Sequence, residues 1–215
     1  MEAQTQEAAY PVQLAVEYPD RDLNRLTTAF RIIVAIPILV LVAAVNGPNQ
    51  TTFEAGRQTW TAAAGAGGVL FFAPLLMIVF RQKYPRWWFD WNRELLRFQN
   101  RVAVYLALMD DRYPATDEQQ AVSLELPYPD ARTALNRWLP LVKWLFAIPH
   151  YILLGFLWLG VLIAVIVAWF AILFTGRYPR GLFDYVAGVF RWTNRVAAYS
   201  FILVTDDYPP FRLSP

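Results

Sequence analysis

The sequence predicts a mainly α-helical integral membrane protein made of two parallel tandem repeats, each a short strand, a transmembrane helical hairpin and an amphipathic interfacial helix. Three observations carry this expectation. The chain says nearly the same thing twice, its apolar content exceeds that of ordinary soluble domains, and its basic residues gather at the ends of its apolar stretches.

The repetition fixes the organisation. Val12, Leu14 and Tyr18-Pro19-Asp20 return as Val122, Leu124 and Tyr128-Pro129-Asp130, an offset of 110. Leu23-Asn24-Arg25 and Ala35-Ile36-Pro37 return as Leu135-Asn136-Arg137 and Ala147-Ile148-Pro149, an offset of 112. Tyr84-Pro85-Arg86, Phe89-Asp90 and Asn100-Arg101-Val102-Ala103 return as Tyr178-Pro179-Arg180, Phe183-Asp184 and Asn194-Arg195-Val196-Ala197, an offset of 94. Asp110-Asp111 with Tyr113-Pro114, and Asp206-Asp207 with Tyr208-Pro209, close the two copies. The first repeat is expected over 10–114, the second over 122–210, and a polar linker over 115–121.

Each element follows from its pattern. Val12, Leu14 and Val16, and likewise Val122, Leu124 and Leu126, alternate as a half-buried strand does. Proline in Tyr-Pro-Asp then ends each strand, because it removes a ladder donor and restricts its predecessor. A two-stranded ribbon is marginal alone, so the two strands are expected to pair with each other and rest on the amphipathic helices. The first helical hairpin is placed at 28–80, with apolar runs over 32–45 and 62–80 joined by a polar loop over 46–59. The run 139–174 carries one formal charge, Lys143. As one helix it would rise about 54 Å against a hydrocarbon core of about 30 Å, so a second hairpin is placed at 137–174, turning near Gly155 or Gly160. Gly65-Ala66-Gly67-Gly68 reads as small-residue helix packing.

After each hairpin, polar residues recur every three or four positions: Arg86, Asp90, Arg93, Arg97, Asn100 and Arg101, then Arg180, Asp184, Arg191, Asn194 and Arg195. Bulky aromatics such as Trp87, Trp88 and Trp91 fill the other faces. These segments, 86–109 and 181–205, read as helices in the interface plane, with a tilted third span or packing on the partner repeat as alternatives. Basic residues flank both hairpins, while Arg57 alone lies in a connector, so the positive-inside rule places the termini in the cytoplasm. No signal peptide is evident in the polar, acidic first thirty residues.

The composition excludes several classes. With no cysteine there is no disulfide framework and no thiolate metal site, and a net charge of +2 does not suggest nucleic acid. His150 is the only histidine and follows a proline inside an apolar helix, where a structural hydrogen bond is the expectation. The Asp pairs read as turn residues that cap or bind nearby arginines. No cofactor or metal is expected, and no nucleophile stands in a catalytic motif.

These ordered motifs resemble the bacterial membrane family described as domain of unknown function 4389, one copy in each half. The second copy is the closer match. In the first, Ile38 stands at the position of His150, and Arg81-Gln82-Lys83 at that of Thr175-Gly176-Arg177. The resemblance implies a membrane location and supplies no activity, substrate or catalytic residue.

The sequence thus points to a non-catalytic, multi-pass protein of a bacterial inner membrane, an accessory subunit or scaffold. Lipid- or partner-binding is expected at Arg86, Trp87, Trp88, Arg97, Arg101, Arg180, Arg191 and Arg195, whose guanidinium groups suit lipid phosphate or acidic partners. The expected partners are membrane lipids and other membrane proteins or further copies of the chain. The alternative is a small lipid-handling or transport protein with a path between the two hairpins.

Overall fold

A computed structural model describes residues 10–46, 50–55, 58–63, 66–115 and 120–215. Within them the chain is mainly helical. The strand β1 (Gln13–Val16) leads through Tyr18-Pro19 to α1 (Arg25–Ala29), whose first turn Asn24 caps by accepting from the N–H groups of Leu26 and Thr27. α2 (Arg31–Asn46) follows at once, and α3 (Ala66–Arg81) and α4 (Arg86–Leu106) complete the first half. The second half holds β4 (Val122–Glu125), α5 (Pro140–Phe146), α6 (Ile148–Thr175) and α7 (Arg180–Ala197), and α7 runs on into one π-helical turn, Ala198–Ile202.

The two expected strands pair with each other. β1 and β4 are antiparallel, with Leu14 opposite Leu124 and Val16 opposite Val122. Leu14 therefore faces its own counterpart, and both side chains are buried. The larger hydrophobic core joins the halves, drawing Val12, Leu14, Phe89 and Met109 from one and Leu124, Ile172, Phe183 and Val189 from the other, while Ala35, Ile38, Phe98, Val102 and Tyr105 form a smaller cluster within the first half.

Two expectations about the apolar stretches are corrected. The loop 46–59 gives way to an antiparallel hairpin, β2 (Gln50–Ala55) and β3 (Gln58–Ala63), paired from Gln50–Ala63 to Ala55–Gln58. Thr51, Thr52 and Phe53, like Thr59, Trp60 and Thr61, are strand formers that outweigh the polarity of the segment. Gly47-Pro48, Arg57 and Gly65 lie outside the described residues.

The second hairpin, expected at 137–174, is a short helix followed by one continuous helix. The chain bends at Ala147, and α6 then runs through Gly155 and Gly160 without turning. Glycine inside a helix costs only about 1 kcal/mol, so neither residue compels a turn. Gly160 instead admits a close neighbour: a Cβ there would collide with the Tyr185 hydroxyl, which donates to the Leu157 carbonyl at 2.9 Å. Splitting off α5 leaves a helix of 28 residues, about 42 Å, which a membrane core of about 30 Å accommodates when the helix is tilted or its ends protrude.

The π-helical turn has a sequence cause. Counterparts lie 94 apart up to Ala103 and Ala197, but the buried left-handed residues that end the two helices, Leu108 (φ 64°) and Leu203 (φ 62°), lie 95 apart. A π-turn is how a helix absorbs one extra residue without rotating everything beyond it.

At the centre, α4 meets α7 through Asn100 and Asn194. Each amide donates to the other's Oδ1, at 2.8 and 2.7 Å, and each also donates to the carbonyl four residues earlier, Leu96 or Phe190. Replacing one partner leaves a buried amide unsatisfied, a cost of about 1–3 kcal/mol, whereas replacing both with apolar residues avoids that penalty. Asn100→Leu is thus expected to lower unfolding stability more than the double variant Asn100→Leu/Asn194→Leu. Additive losses in a denaturant-unfolding double-mutant cycle would refute the pairing.

Candidate functional site

The arginines expected to face lipid or partners mostly face the protein itself. Arg97 donates from Nε to the Leu124 carbonyl at 3.0 Å, and Arg191 from Nε to the Leu14 carbonyl at 3.1 Å. Each therefore holds the central residue of the other half's strand. Arg101 donates to the Ala115 carbonyl at 2.8 Å. Arg195 is buried, reaches the carbonyls of Arg212 and Ser214, and lies near the Tyr10 ring. Burial lowers the pKa of both Arg191 and Arg195, and for Arg195 the neighbouring Arg212 and Arg191 add to the effect. A guanidinium still keeps its charge so far above neutral pH.

Arg86 and Arg180 form a second matched pair. Arg86 sits over the Tyr128 ring at 5.4 Å, and Arg180 over Tyr18 at 4.6 Å. The same tyrosines lock the motifs together: the Tyr128 hydroxyl donates to the Tyr84 carbonyl, and the Tyr18 hydroxyl to the Tyr178 carbonyl at 2.6 Å. Each Tyr-Pro-Asp segment thus docks on the Tyr-Pro-Arg segment of the opposite half. Trp87 stands well out, 68% exposed, with exposed Arg86 before it, half-buried Trp88 edge-on beside it and Trp91 next to that; Arg180 is exposed as well. The eight residues do not share one face. They divide into an aromatic–arginine corner at the start of α4, an Arg180–Tyr18 contact, and four arginines engaged with backbone.

The Asp pairs act as caps and ion-pair partners. Asp111 binds Arg21 through both oxygens and accepts from the Asn24 N–H, while Asp110 binds Arg112 at 2.9 Å. Asp206 accepts from the Asn136 N–H, the corresponding bond, and binds the fully buried Lys143 at 2.7 Å. His150 accepts from Trp192 Nε1 at 3.0 Å and stacks on Phe211 with ring centroids 4.0 Å apart. That is the structural hydrogen bond its setting suggests. Among the described residues, no three His, Asp or Glu side chains gather as a metal ion would need.

Sequence reasoning missed Arg31 and Lys143. They occupy corresponding positions, 112 apart, and each lies against a corresponding tyrosine, Tyr105 at 4.0 Å or Tyr199 at 5.1 Å. The signal was available as a cation at the same place in both copies, but its neighbours conceal that it turns inward.

Comparison with known families finds that residues 138–212 match the model described as Domain of unknown function (DUF4389). No curated protein and no solved structure matches the chain.

Two predictions follow from this geometry. Arg97→Ala and Arg191→Ala should each lower stability by about 1 kcal/mol, the worth of one buried hydrogen bond. Melting temperatures unchanged in both would contradict their role in holding the strands. Burial raises the Asp111 pKa, but the Arg21 hydrogen bond and charge and the Asn24 N–H outweigh it and hold the carboxyl below its ordinary value. A carboxyl depressed in the folded state stabilises above its unfolded pKa and loses that contribution as pH falls below about 4. Asp111→Asn should flatten the acid limb of the stability profile, and an unaltered limb would show that the pair contributes nothing. The family match covers residues 138–212 alone, one copy and not the two that the repeated motifs led us to expect.

Proposed function

We propose that the protein is an integral membrane protein made of a duplicated, interlocked unit and that it acts without catalysis, as an accessory subunit or scaffold for other membrane proteins. One observation carries the membrane reading. α6 is long and apolar enough to cross a bilayer, and only 22% of its most apolar window is buried. A core helix of a soluble protein hides such a surface. Here Phe156, Leu159, Ile163, Ile166, Phe170 and Phe174 lie exposed along it. Exposed Ile32, Ile33 and Ile36 on α2, and Leu76 and Phe80 on α3, extend the apolar surface into the first half.

The matched contacts support duplication: Leu14 with Leu124, Asn100 with Asn194, and the two Tyr-Pro exchanges. In this reading α2 and α3 together correspond to α6, with the β2–β3 hairpin inserted. Residues 36–81 less the 18 by which the offset falls equal the 28 of α6. Arg137 and Arg177 flank a nearly continuous helical stretch instead of a hairpin, so the basic residues no longer put both of its ends on one side of the membrane. The transport alternative weakens too, since one of the two hairpins it needs is a single helix.

Exposed Trp87 and Trp91 beside Arg86 suit a bilayer interface or the flank of a partner. Carbonate washing of membranes should leave the protein in the pellet, and native mass spectrometry after gentle release should find it with a stoichiometric protein partner. Release by carbonate would overturn the membrane reading; a lone, partner-free chain would overturn the accessory role.

A further inference from the structure

The matched halves differ sharply at one place, where α3 and α6 end. Both helices finish on a left-handed residue, Gln82 (φ 46°) after α3 and Gly176 (φ 79°) after α6. At Gly176 the neighbouring segment closes in: the Leu23 N–H donates to its carbonyl at 2.8 Å, and Asp22 and Arg25 come within 3.6 Å of where a Cβ would stand. Arg177 is then paired with Asp22 at 3.1 Å. At Gln82 the described residues show no corresponding bond from Leu135, and a cleft of about 500 Å³ remains, lined by Met77, Arg81, Lys83, Tyr84, Tyr128 and Arg132 among others.

The charges differ in the same direction. Arg81 stands where the other half has Thr175, Lys83 where it has Arg177, and Arg132 where it has Asp22. The cleft therefore holds three cations against one carboxylate, Asp130, whereas the corresponding positions hold two cations, Arg21 and Arg177, against Asp20 and Asp22. No ion pair engages Arg81, Lys83 or Arg132 among the described residues.

Nor are these cations needed to finish α3. Its last carbonyls accept from the Gln82 and Lys83 N–H groups, which reach Ile78 and Met77, and from Arg137, which reaches Val79 and Phe80. The cationic side chains are left for something outside the protein. One turn before the cleft, Leu76 and Phe80 are exposed, 50% and 70%, on the apolar face of the helix.

We propose that this cleft binds a phospholipid with an anionic headgroup, its phosphate held by Arg81, Lys83 and Arg132 and its acyl chains lying along Leu76 and Phe80 of α3. The inference rests on the membrane reading above and adds a ligand, a site and an asymmetry between the halves. An anionic phosphate matches the net charge of the cleft, and arginine meets it with paired donors. An apolar face beginning where the cations end distinguishes a lipid from a free anion. The counterpart, closed by the Leu23–Gly176 bond and with its cations balanced by Asp20 and Asp22, should bind no such lipid.

The test is native mass spectrometry of the detergent-solubilised full chain with dioleoylphosphatidylglycerol and dioleoylphosphatidylcholine in equal amounts. Three basic residues near a phosphate predict a preference for phosphatidylglycerol of about 10- to 100-fold. The exposed triple variant Arg81→Gln/Lys83→Gln/Arg132→Gln should lose that preference and keep its phosphatidylcholine binding. Asp130→Asn, which preserves the cap on the Arg132 N–H, should raise the preference, and Arg177→Gln should leave it alone. Equal binding of both lipids by the native chain, or a preference that survives the triple variant, would overturn the proposal and leave the membrane reading standing. Saturation by inorganic phosphate alone, without a lipid preference, would overturn it in favour of a free-anion site. A chain that needs no detergent and retains neither lipid would instead bring down the membrane reading.

Discussion

The reciprocal amide pair between Asn100 and Asn194 is the constraint around which the molecule is arranged. Two asparagines can satisfy each other in this way only where their helices cross closely and symmetrically. Each is also tied to its own helix four residues back, so the rotation of α4 and α7 is set at the crossing. With that rotation fixed, Arg97 and Arg191 come under the ribbon, and each guanidinium meets a carbonyl of the strand from the opposite half. The same rotation buries Phe98 and Phe190 and leaves Trp87 at the outer end of α4.

The recurring motifs then have a physical meaning. They are the points at which one half grips the other. Tyr-Pro-Asp supplies a hydroxyl that reaches the Tyr-Pro-Arg carbonyl across the molecule, and the arginine of that motif covers the ring. Asp-Asp closes each half on itself by capping the N–H of its own Leu-Asn-Arg segment. Polar groups so engaged are unavailable to substrates, which directs attention to the places where the halves differ.

The strands, their mutual pairing and the ends of the long helices were legible in the sequence, because alternation and proline placement are local signals. The structural roles of His150 and the Asp pairs followed from their neighbours. The continuous α6 was missed: a length argument needs to know that the helix is interrupted at Ala147, and the mark of that, Pro149 in the first turn of α6, was read as part of one apolar run. The β2–β3 hairpin was hidden by its polarity, although its threonines and aromatics favour strands. The arginine stripe misled most. Helical spacing shows that Arg97, Arg101, Arg191 and Arg195 lie on one side of their helices, but not that this side faces the backbone of another segment. The cleft by Gln82 was legible only as a mismatch between copies, Arg81-Gln82-Lys83 against Thr175-Gly176-Arg177.

Interlocking of the halves through the β1–β4 ribbon can be measured directly, because the chain contains no cysteine of its own. Ala15 lies opposite Ser123, and opposed residues of an antiparallel pair lie about 4.5–5.5 Å apart at Cα, within the span of a disulfide. In the variant Ala15→Cys/Ser123→Cys, mild oxidation should form an intramolecular disulfide in nearly every molecule, seen by mass spectrometry of peptides joined across the two halves. Free thiols, or bridges only between separate chains, would contradict the paired ribbon and with it the interlocked arrangement.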